Sequence, residues 1–219
     1  MTAIIFDVDD TLVQSSHFDG ELYRRAVKEV LGDVIIRNDW NEYKDVTDGG
    51  ILSQIMKENG IKDMCLFDNV RYRFGVLTES YLAAGGECRP ISGAVDFIRE
   101  LSESETYRVG FATGGWSHTA NLKLLYAGFC LDDKPLISSD YSFERTAIMR
   151  ECLSRLGNGF EKSVYFGDSV WDVNACNNLG WNFIGVGLKL KGKCRRWIND
   201  FSDLKKVFKM ICSFCENSH

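Results

Sequence analysis

The 219-residue sequence contains no apolar run near the roughly 18 residues that a membrane span requires. Asp7 follows the start too soon for the apolar segment of a signal peptide. Blocks of like charge are absent, because acidic and basic residues are interspersed, and the net charge is −5. Both features argue against a nucleic-acid-binding surface. Only two prolines occur, with no repeat or low-complexity segment. We therefore expect a cytoplasmic monomer or homodimer that acts on small molecules and binds neither nucleic acid nor membrane.

Eight cysteines raise the question of a disulfide framework or a zinc site. Most of them lie singly in apolar stretches, as Cys152 does, which is typical of reduced cysteines in an intracellular protein. Cys212 and Cys215 have the spacing of a metal-binding pair and His219 follows them, but no second pair of ligands accompanies them. We expect the end of a helix there, with a C-terminal zinc or redox site as the alternative.

An apolar run near the start of the chain ends in three carboxylates. Residues 4–6 have the Ile-Ile-Phe composition of a buried strand in a parallel sheet, and Asp7, Asp9 and Asp10 follow. Because side chains alternate along an extended chain, Asp7 and Asp9 project from the same side. Two carboxylates this close repel each other unless a hard divalent cation lies between them. The segment predicts a metal-assisted reaction site, with a polar loop after an edge strand as the alternative.

Short strand patterns alternate with helical patterns along most of the chain. The strand candidates are residues 3–8, 107–112, 136–138, 163–166 and 183–186, and the helical patterns between the last four are 117–127, 144–156 and 171–179. This alternation predicts an α/β fold, a doubly wound, Rossmann-like parallel sheet with helices on both faces.

The interval between the first two strand candidates is far longer than one crossover helix needs. A helical pattern covers residues 19–31 and ends at Gly32. Further helical patterns follow at 39–47, 50–59 and 68–83. Gly85, Gly86 and Pro90 indicate the return to the sheet.

We therefore expect two domains. The core domain comprises residues 1–15 and 90–219, and an all-helical cap domain comprises residues 16–89. An insertion directly after the Asp-rich loop would lie above that loop, where it can serve as a lid.

Polar residues also follow the other predicted strands at their carboxyl ends, where functional groups collect in a doubly wound sheet. Thr113 and Gly114 supply a hydroxyl and backbone N–H groups that can face an anion. Arg145 opens a helical pattern and supplies a cation, and Asp168 and Asp172 add two more acids. Such a set of groups suits Mg²⁺ and a phosphate.

These four segments resemble the motifs of the haloacid dehalogenase-like superfamily and occur in the same order. The family's motifs are Asp-x-Asp-x-Thr, a Ser or Thr after the second strand, a Lys or Arg, and Gly-Asp-x-x-x-Asp. The resemblance covers essentially the whole chain. It points to the phosphatase branch with a helical cap, which includes enzymes similar to phosphoglycolate phosphatase and β-phosphoglucomutase.

The resemblance implies a role for each matching residue. Asp7 would be the nucleophile that accepts the phosphoryl group. Asp9 would be the general acid and base, which protonates the leaving oxygen and then activates water. Thr113, the Gly114 amide and Arg145 would hold the phosphate oxygens.

The resemblance also implies a Mg²⁺ cofactor and its ligands. These would be Asp7, the backbone carbonyl of Asp9, Asp168, and Asp172 directly or through water. Most relatives have Lys as the cation, often in Lys-Pro, but Lys134-Pro135 precedes the third strand here. Arg145 has the correct position, and a guanidinium can bridge phosphate and carboxylate. Asp10 stands where many relatives have Gly, and we assign it no role.

The acidic residue Asp9 disfavours dehalogenation, because the dehalogenase branch of the family has a non-acidic residue there. We expect a Mg²⁺-dependent phosphatase that hydrolyses a small phosphate monoester through an aspartyl-phosphate. One alternative is a phosphomutase of the β-phosphoglucomutase type, in which a sugar accepts the phosphoryl group instead of water. Another is an inactive protein that binds a phosphometabolite.

Substrate selection is expected in the helical insertion. Thr47, Asp48 and Gly49 form its most unusual stretch and are interpreted either as a specificity loop or as a capped helix start. Arg71 is a further candidate for contact with an anionic substrate.

Overall fold

The structure is a computed structural model that describes the backbone of residues 1–216 and the side chains of residues 1–214. The zinc or redox site considered as an alternative at Cys212, Cys215 and His219 therefore lies partly outside the described residues. Within the described part of the chain, no helix combines the length and hydropathy needed to cross a membrane.

One parallel sheet of six strands organises residues 1–216, in the order β3-β2-β1-β4-β5-β6. The strands are β1 (Thr2–Phe6), β2 (Tyr107–Ala112), β3 (Leu136–Ile137), β4 (Lys162–Gly167), β5 (Asn182–Val186) and β6 (Trp197–Ile198). Ile4 of β1 lies between Val109 of β2 and Val164 of β4. Every residue of β1 is buried, as its apolar composition predicts for a central parallel strand. The predicted doubly wound α/β fold is confirmed.

Helices cover both faces of the sheet and fill the long interval after β1. They are α1 (Asp19–Leu31), α2 (Asp48–Glu58), α3 (Met64–Ala83), α4 (Ala94–Glu103), α5 (Ser117–Tyr126), α6 (Arg145–Leu156), α7 (Val170–Leu179) and α8 (Leu204–Glu216). Helices α1 to α3 share an apolar cluster of their own, which includes Tyr23, Leu52 and Phe74. The domain boundaries expected near residues 15 and 90 stay predictions.

The helix predicted over residues 39–47 is wrong. Only Trp40–Glu42 form a short 3₁₀ turn, before which the Asp39 carboxylate accepts a hydrogen bond from the Asn41 amide. Asp and Asn favour such local side-chain bonds over a continuous helix. The sequence patterns also left helix α4 and strand β6 unpredicted.

Aromatic packing fixes one face of the sheet. The Phe6 ring stacks on Phe166 with centroids 4.9 Å apart, and Phe97 and Phe201 close the cluster. This face holds β1 in place, so the residues directly after β1 have a fixed position at the carboxyl edge of the sheet.

Candidate active site

Asp7 is the first residue after β1 and is buried at the carboxyl edge of the sheet. Its amide donates to Phe166 O of β4 at 2.9 Å, which extends the strand register by one residue. Its Oδ1 accepts from Arg145 Nη1 at 3.3 Å and its Oδ2 from Thr11 Oγ1 at 3.4 Å. Burial raises the pKa of Asp7 well above its ordinary value, the Asp172 charge raises it further, and Arg145 offsets part of this rise.

Asp168 and Asp172 join Asp7 in a compact carboxylate cluster. One oxygen from each of the three lies within 4.8 Å of the others. The Asp172 side chain packs against the end of β4 because the last residue of that strand is Gly167. A Cβ atom at position 167 would stand 2.6 Å from Asp172 Cγ. Its Oδ2 accepts from the Ser169 amide at 3.1 Å, which caps α7. Burial raises the pKa of Asp172 to about 6.

Arg145, the first residue of α6, lies against this cluster. Its Nη1 donates to Asp172 Oδ1 at 3.0 Å as well as to Asp7, and its Nη2 donates to Val46 O at 3.3 Å. A Cβ atom at position 114 would stand 2.5 Å from Nη2, so Gly114 is the residue that leaves room for the guanidinium. The structure thus brings the predicted cation to the predicted nucleophile.

The loop after β2 supplies the predicted phosphate-binding groups. Thr113 is buried, and its Oγ1 accepts from the Gly115 amide at 3.0 Å. Among residues 1–216 the Gly114 N–H has no hydrogen-bond acceptor, although it lies in the wall of a cleft. A free N–H in such a loop is suited to an anionic oxygen.

Asp9 does not belong to the carboxylate cluster. Its Oδ1 accepts from Ser15 Oγ at 2.6 Å and from Lys123 Nζ. Lys123 lies in α5, is fully buried, and also donates to Asp19 Oδ1 at 2.9 Å. The sequence analysis missed Lys123 and Asp19, because a lysine in an amphipathic helix is ordinarily solvated and no local signal distinguishes this one.

Asp10, to which the sequence assigned no role, forms several hydrogen bonds in the structure. Its backbone is left-handed, with φ of 55°, and its Oδ1 accepts from the amides of Ser15 at 3.3 Å and Ser16 at 3.1 Å. Its Oδ2 accepts from Lys189 Nζ at 2.6 Å, and the same ammonium reaches Asp168 Oδ2 at 2.9 Å. Asp10 therefore fixes the turn after Asp9 and holds Lys189 beside Asp168. Lys189 is the second cation that the sequence analysis missed.

The four residues predicted for substrate selection lie in three places, with Thr47 and Asp48 at the cleft and Gly49 and Arg71 each elsewhere. Thr47 caps α2 by accepting from the Gly50 amide at 3.2 Å and lies beside the cleft. Asp48 also lines the cleft, where its Oδ2 accepts from the Trp116 amide at 3.0 Å. Both interpretations of this stretch, the capped helix and the cleft-facing loop, thus describe part of its geometry.

Gly49 and Arg71 lie elsewhere. Gly49 packs against Phe143, where a Cβ atom would stand 2.5 Å from the ring. Arg71 pairs with Asp140 and Asp68, each at 2.9 Å, and is not among the residues that line the cleft. The structure therefore does not bring Arg71 to the predicted site, because nearby carboxylates on α3 and after β3 bind its guanidinium.

The cleft itself lies between the carboxyl edge of the sheet and the helical insertion, with a volume of about 230 Å³. Such a volume is below the range of sites for drug-sized ligands. The sheet edge contributes the groups described above, and α1, α2 and the segment between them contribute Asp19, Tyr23, Trp40, Asp48 and Ile51.

The sequence is similar to curated phosphatases from two archaea. It is 27% identical over 192 residues to a glyceraldehyde 3-phosphate phosphatase from Methanopyrus kandleri, covering 81% of this chain and 80% of that protein. It is 27% identical over 241 residues to the protein of the same name from Methanothermobacter thermautotrophicus, covering 94% and 99%.

The fold is also similar to that of solved structures. A β-phosphoglucomutase from Clostridium difficile superposes with a TM-score of 0.74 at 14% identity, covering 98% of this chain and 99% of that one. A model of the haloacid dehalogenase-like hydrolases matches residues 1–180. The resemblance seen in the sequence motifs is confirmed, and the chain is an enzyme that belongs to the haloacid dehalogenase-like hydrolase family.

Proposed function

We propose that the protein is a Mg²⁺-dependent phosphatase that hydrolyses a small phosphate monoester through an aspartyl-phosphate on Asp7. The observation that carries the proposal is the buried cluster of Asp7, Asp168 and Asp172 beside Arg145 and the Gly114 N–H, which has no acceptor in the described part of the chain. The names of the curated relatives support the same reaction class.

The donor set fits Mg²⁺. Three buried carboxylates face two cations, Arg145 beside Asp7 and Asp172 and Lys189 beside Asp168. The formal charge of the group is therefore still negative. Carboxylate oxygens are the ligands that Mg²⁺ prefers in proteins. Asp7, Asp168, Asp172 and the Asp9 carbonyl would hold the ion, which would neutralise charge on the phosphate and on Asp7.

Each reacting group of the chain then has a defined role. The Asp7 carboxylate attacks phosphorus while Asp9 gives a proton to the ester oxygen, which leaves with the electron pair of the broken P–O bond. Asp9 next takes a proton from water, and the water oxygen attacks the phosphoryl group and restores the Asp7 carboxylate. Arg145, Thr113 and the Gly114 N–H hold the phosphate oxygens. Because burial raises the pKa of Asp7, positive charge beside it is needed to keep the attacking carboxylate ionised.

The charge distribution in the cleft supports an uncharged remainder of the substrate. Among the described residues that line it, the cations are Arg145 and Lys189, and both bind carboxylates at the sheet edge. The opposite wall carries the Asp19 and Asp48 carboxylates. Asp19 is paired with the buried Lys123, but among the described residues no lysine or arginine lines this wall to receive a second phosphate or a carboxylate of the substrate. A triose phosphate, as in the names of the curated relatives, therefore fits better than phosphoglycolate or a sugar bisphosphate.

The test measures phosphate release from glyceraldehyde 3-phosphate with MgCl₂, and again with EDTA. We expect turnover that requires Mg²⁺ and that Asp7→Asn abolishes. Asp96→Asn is the matched control, because Asp96 is an exposed acid of α4 whose partner is Arg99. Full turnover by the Asp7→Asn protein would refute the role of Asp7, and full turnover in EDTA would refute the need for a metal.

A further inference from the structure

Lys123 is a fully buried lysine that the phosphatase reaction described above does not use. Its ammonium contacts Asp9 and Asp19, and its side chain is 1% exposed. Burial alone would lower the pKa of Lys123, but the charges of Asp19 and Asp9 outweigh burial and raise it, so the group is an ammonium. Replacing a buried ion pair by apolar side chains of similar volume is often neutral or stabilising. Packing of α5 therefore does not explain why this position holds a charge.

The contacts of Asp9 are unequal between its two oxygens. Oδ1 accepts both the Ser15 hydroxyl at 2.6 Å and the Lys123 ammonium. Oδ2 lies in the cleft wall beside Gly115, 3.4 Å from where a Cβ atom of that residue would stand. Within residues 1–216 no donor bonds Oδ2. The terminal torsion of an aspartate is broad and roughly two-fold, so it does not by itself select one oxygen. The two hydrogen bonds to Oδ1 therefore determine that Oδ2 faces the cleft.

We propose that Lys123 is a positioning residue for Asp9: together with Ser15 it holds Oδ1, so that Oδ2 faces the ester oxygen of the substrate. The inference rests on the proposed phosphatase function and adds to it the residue that orients the proton donor. The transferred proton is the one on Asp9 Oδ2, which Asp9 takes from the attacking water at the end of each turnover. It passes to the ester oxygen as the P–O bond breaks, and Lys123 keeps its own protons throughout.

The proposal makes a prediction that depends on the leaving group. An alkoxide leaves poorly unless it is protonated, whereas p-nitrophenolate is a stable anion that leaves without a proton. Misplacing Asp9 should therefore lower kcat/KM for an alkyl phosphate and spare kcat/KM for an aryl phosphate, because kcat/KM reports phosphoryl transfer to Asp7 and not the later hydrolysis of the aspartyl-phosphate, in which Asp9 also acts. A loss of packing or of folded protein would slow both substrates equally. General acid catalysis contributes about 10²- to 10⁴-fold, which sets the range of the expected loss.

The experiment compares kcat/KM on glyceraldehyde 3-phosphate and on p-nitrophenyl phosphate for wild type and Lys123→Met. We expect the ratio of the two kcat/KM values, alkyl over aryl, to fall at least about tenfold, as a part of that catalysis. Lys28→Met is the matched control, because Lys28 is an exposed lysine of α1, and it should leave the ratio unchanged. In an Asp9→Asn background, Lys123→Met should change the ratio no further, since the two residues act through one proton transfer.

A parallel variant keeps the test decisive if Lys123→Met does not fold. Ser15→Ala removes the other bond to Asp9 Oδ1 and leaves the ion pairs intact, and it should lower the same ratio. Equal losses on both substrates, or an unchanged ratio in Ser15→Ala, would overturn the assignment of Lys123. If wild type hydrolyses neither substrate, the proposed function itself is wrong, and the inference is overturned with it.

Discussion

Replacing Arg145 by Met should destabilise the fold as well as slow the reaction. Met keeps most of the side-chain volume but removes the bonds to Asp172 Oδ1 at 3.0 Å, Asp7 Oδ1 at 3.3 Å and Val46 O at 3.3 Å. The guanidinium side chain is 13% exposed, and the Asp172 side chain is fully buried. Removing one partner of a buried ion pair costs about 3–5 kcal/mol, so we expect a loss of this size at pH 7.5 in EDTA.

The loss should shrink at low pH. The pKa of Asp172 is about 6 in the folded protein, above its ordinary value of 3.8. The folded state therefore binds more protons than the unfolded state between these values, and its stability falls as the pH rises through this window. Without Arg145 the pKa of Asp172 rises further, so at pH 5 the Asp172 side chain of the Arg145→Met protein is neutral and needs no cationic partner. The destabilisation by Arg145→Met should be clearly smaller at pH 5 than at pH 7.5.

Urea unfolding at both pH values, followed by circular dichroism, measures this difference. Arg99→Met is the control, because Arg99 is 63% exposed and pairs with Asp96 on the surface, where such pairs contribute about 0–1 kcal/mol. Arg145→Lys should recover part of the stability and less of the turnover, since an ammonium supplies charge without the planar fork. A wild-type urea midpoint for Arg145→Met at pH 7.5 would refute the reasoning.

Three further predictions follow from the same site. Gly114→Ala should displace Arg145, whose Nη2 would lie 2.5 Å from the new Cβ atom. We expect lower turnover, measured by phosphate release, and a stability loss of about 1–3 kcal/mol, measured by urea unfolding. Mg²⁺ should raise the melting temperature at pH 7.5 and raise it much less at pH 5. Burial raises the pKa of Asp7 and of Asp168, so protons compete with the ion for these carboxylates at the lower pH. Equal increases at both pH values would contradict this. Asp48→Asn keeps an acceptor for the Trp116 amide but removes an acid whose pKa burial raises. Above that pKa, kcat/KM for 2-phosphoglycolate relative to glyceraldehyde 3-phosphate should therefore rise about tenfold, or ~1.4 kcal/mol.

The sequence could predict the sheet-edge groups because topology alone places them. Asp7, Thr113 and Asp168 each follow a strand directly, and the carboxyl ends of adjacent parallel strands β2, β1 and β4 meet at one edge. Arg145 required the further step of recognising a helix start after β3. In each case the spacing to the strand carried the information.

The rest of the cleft depends on contacts between segments distant in the chain. Lys123 is buried because Asp19, 104 residues away, approaches it from α1, and no local pattern encodes that approach. Arg71 was a plausible anion ligand by charge alone, yet Asp140, 69 residues away, binds it. The helix wrongly predicted over residues 39–47 has an apolar spacing that suits a helix, but the Asp39 side chain stabilises a turn there instead.

The most direct test of the proposed mechanism is whether Asp7 becomes phosphorylated. The enzyme is mixed with glyceraldehyde 3-phosphate and Mg²⁺, quenched in acid within milliseconds, digested with pepsin and analysed by mass spectrometry. We predict that the peptide containing Asp7 gains the mass of one phosphoryl group (HPO₃) during turnover and that the Asp7→Asn protein shows no such gain. Phosphate release without any phosphorylated Asp7 peptide, or with the phosphoryl group on another residue, would contradict the mechanism.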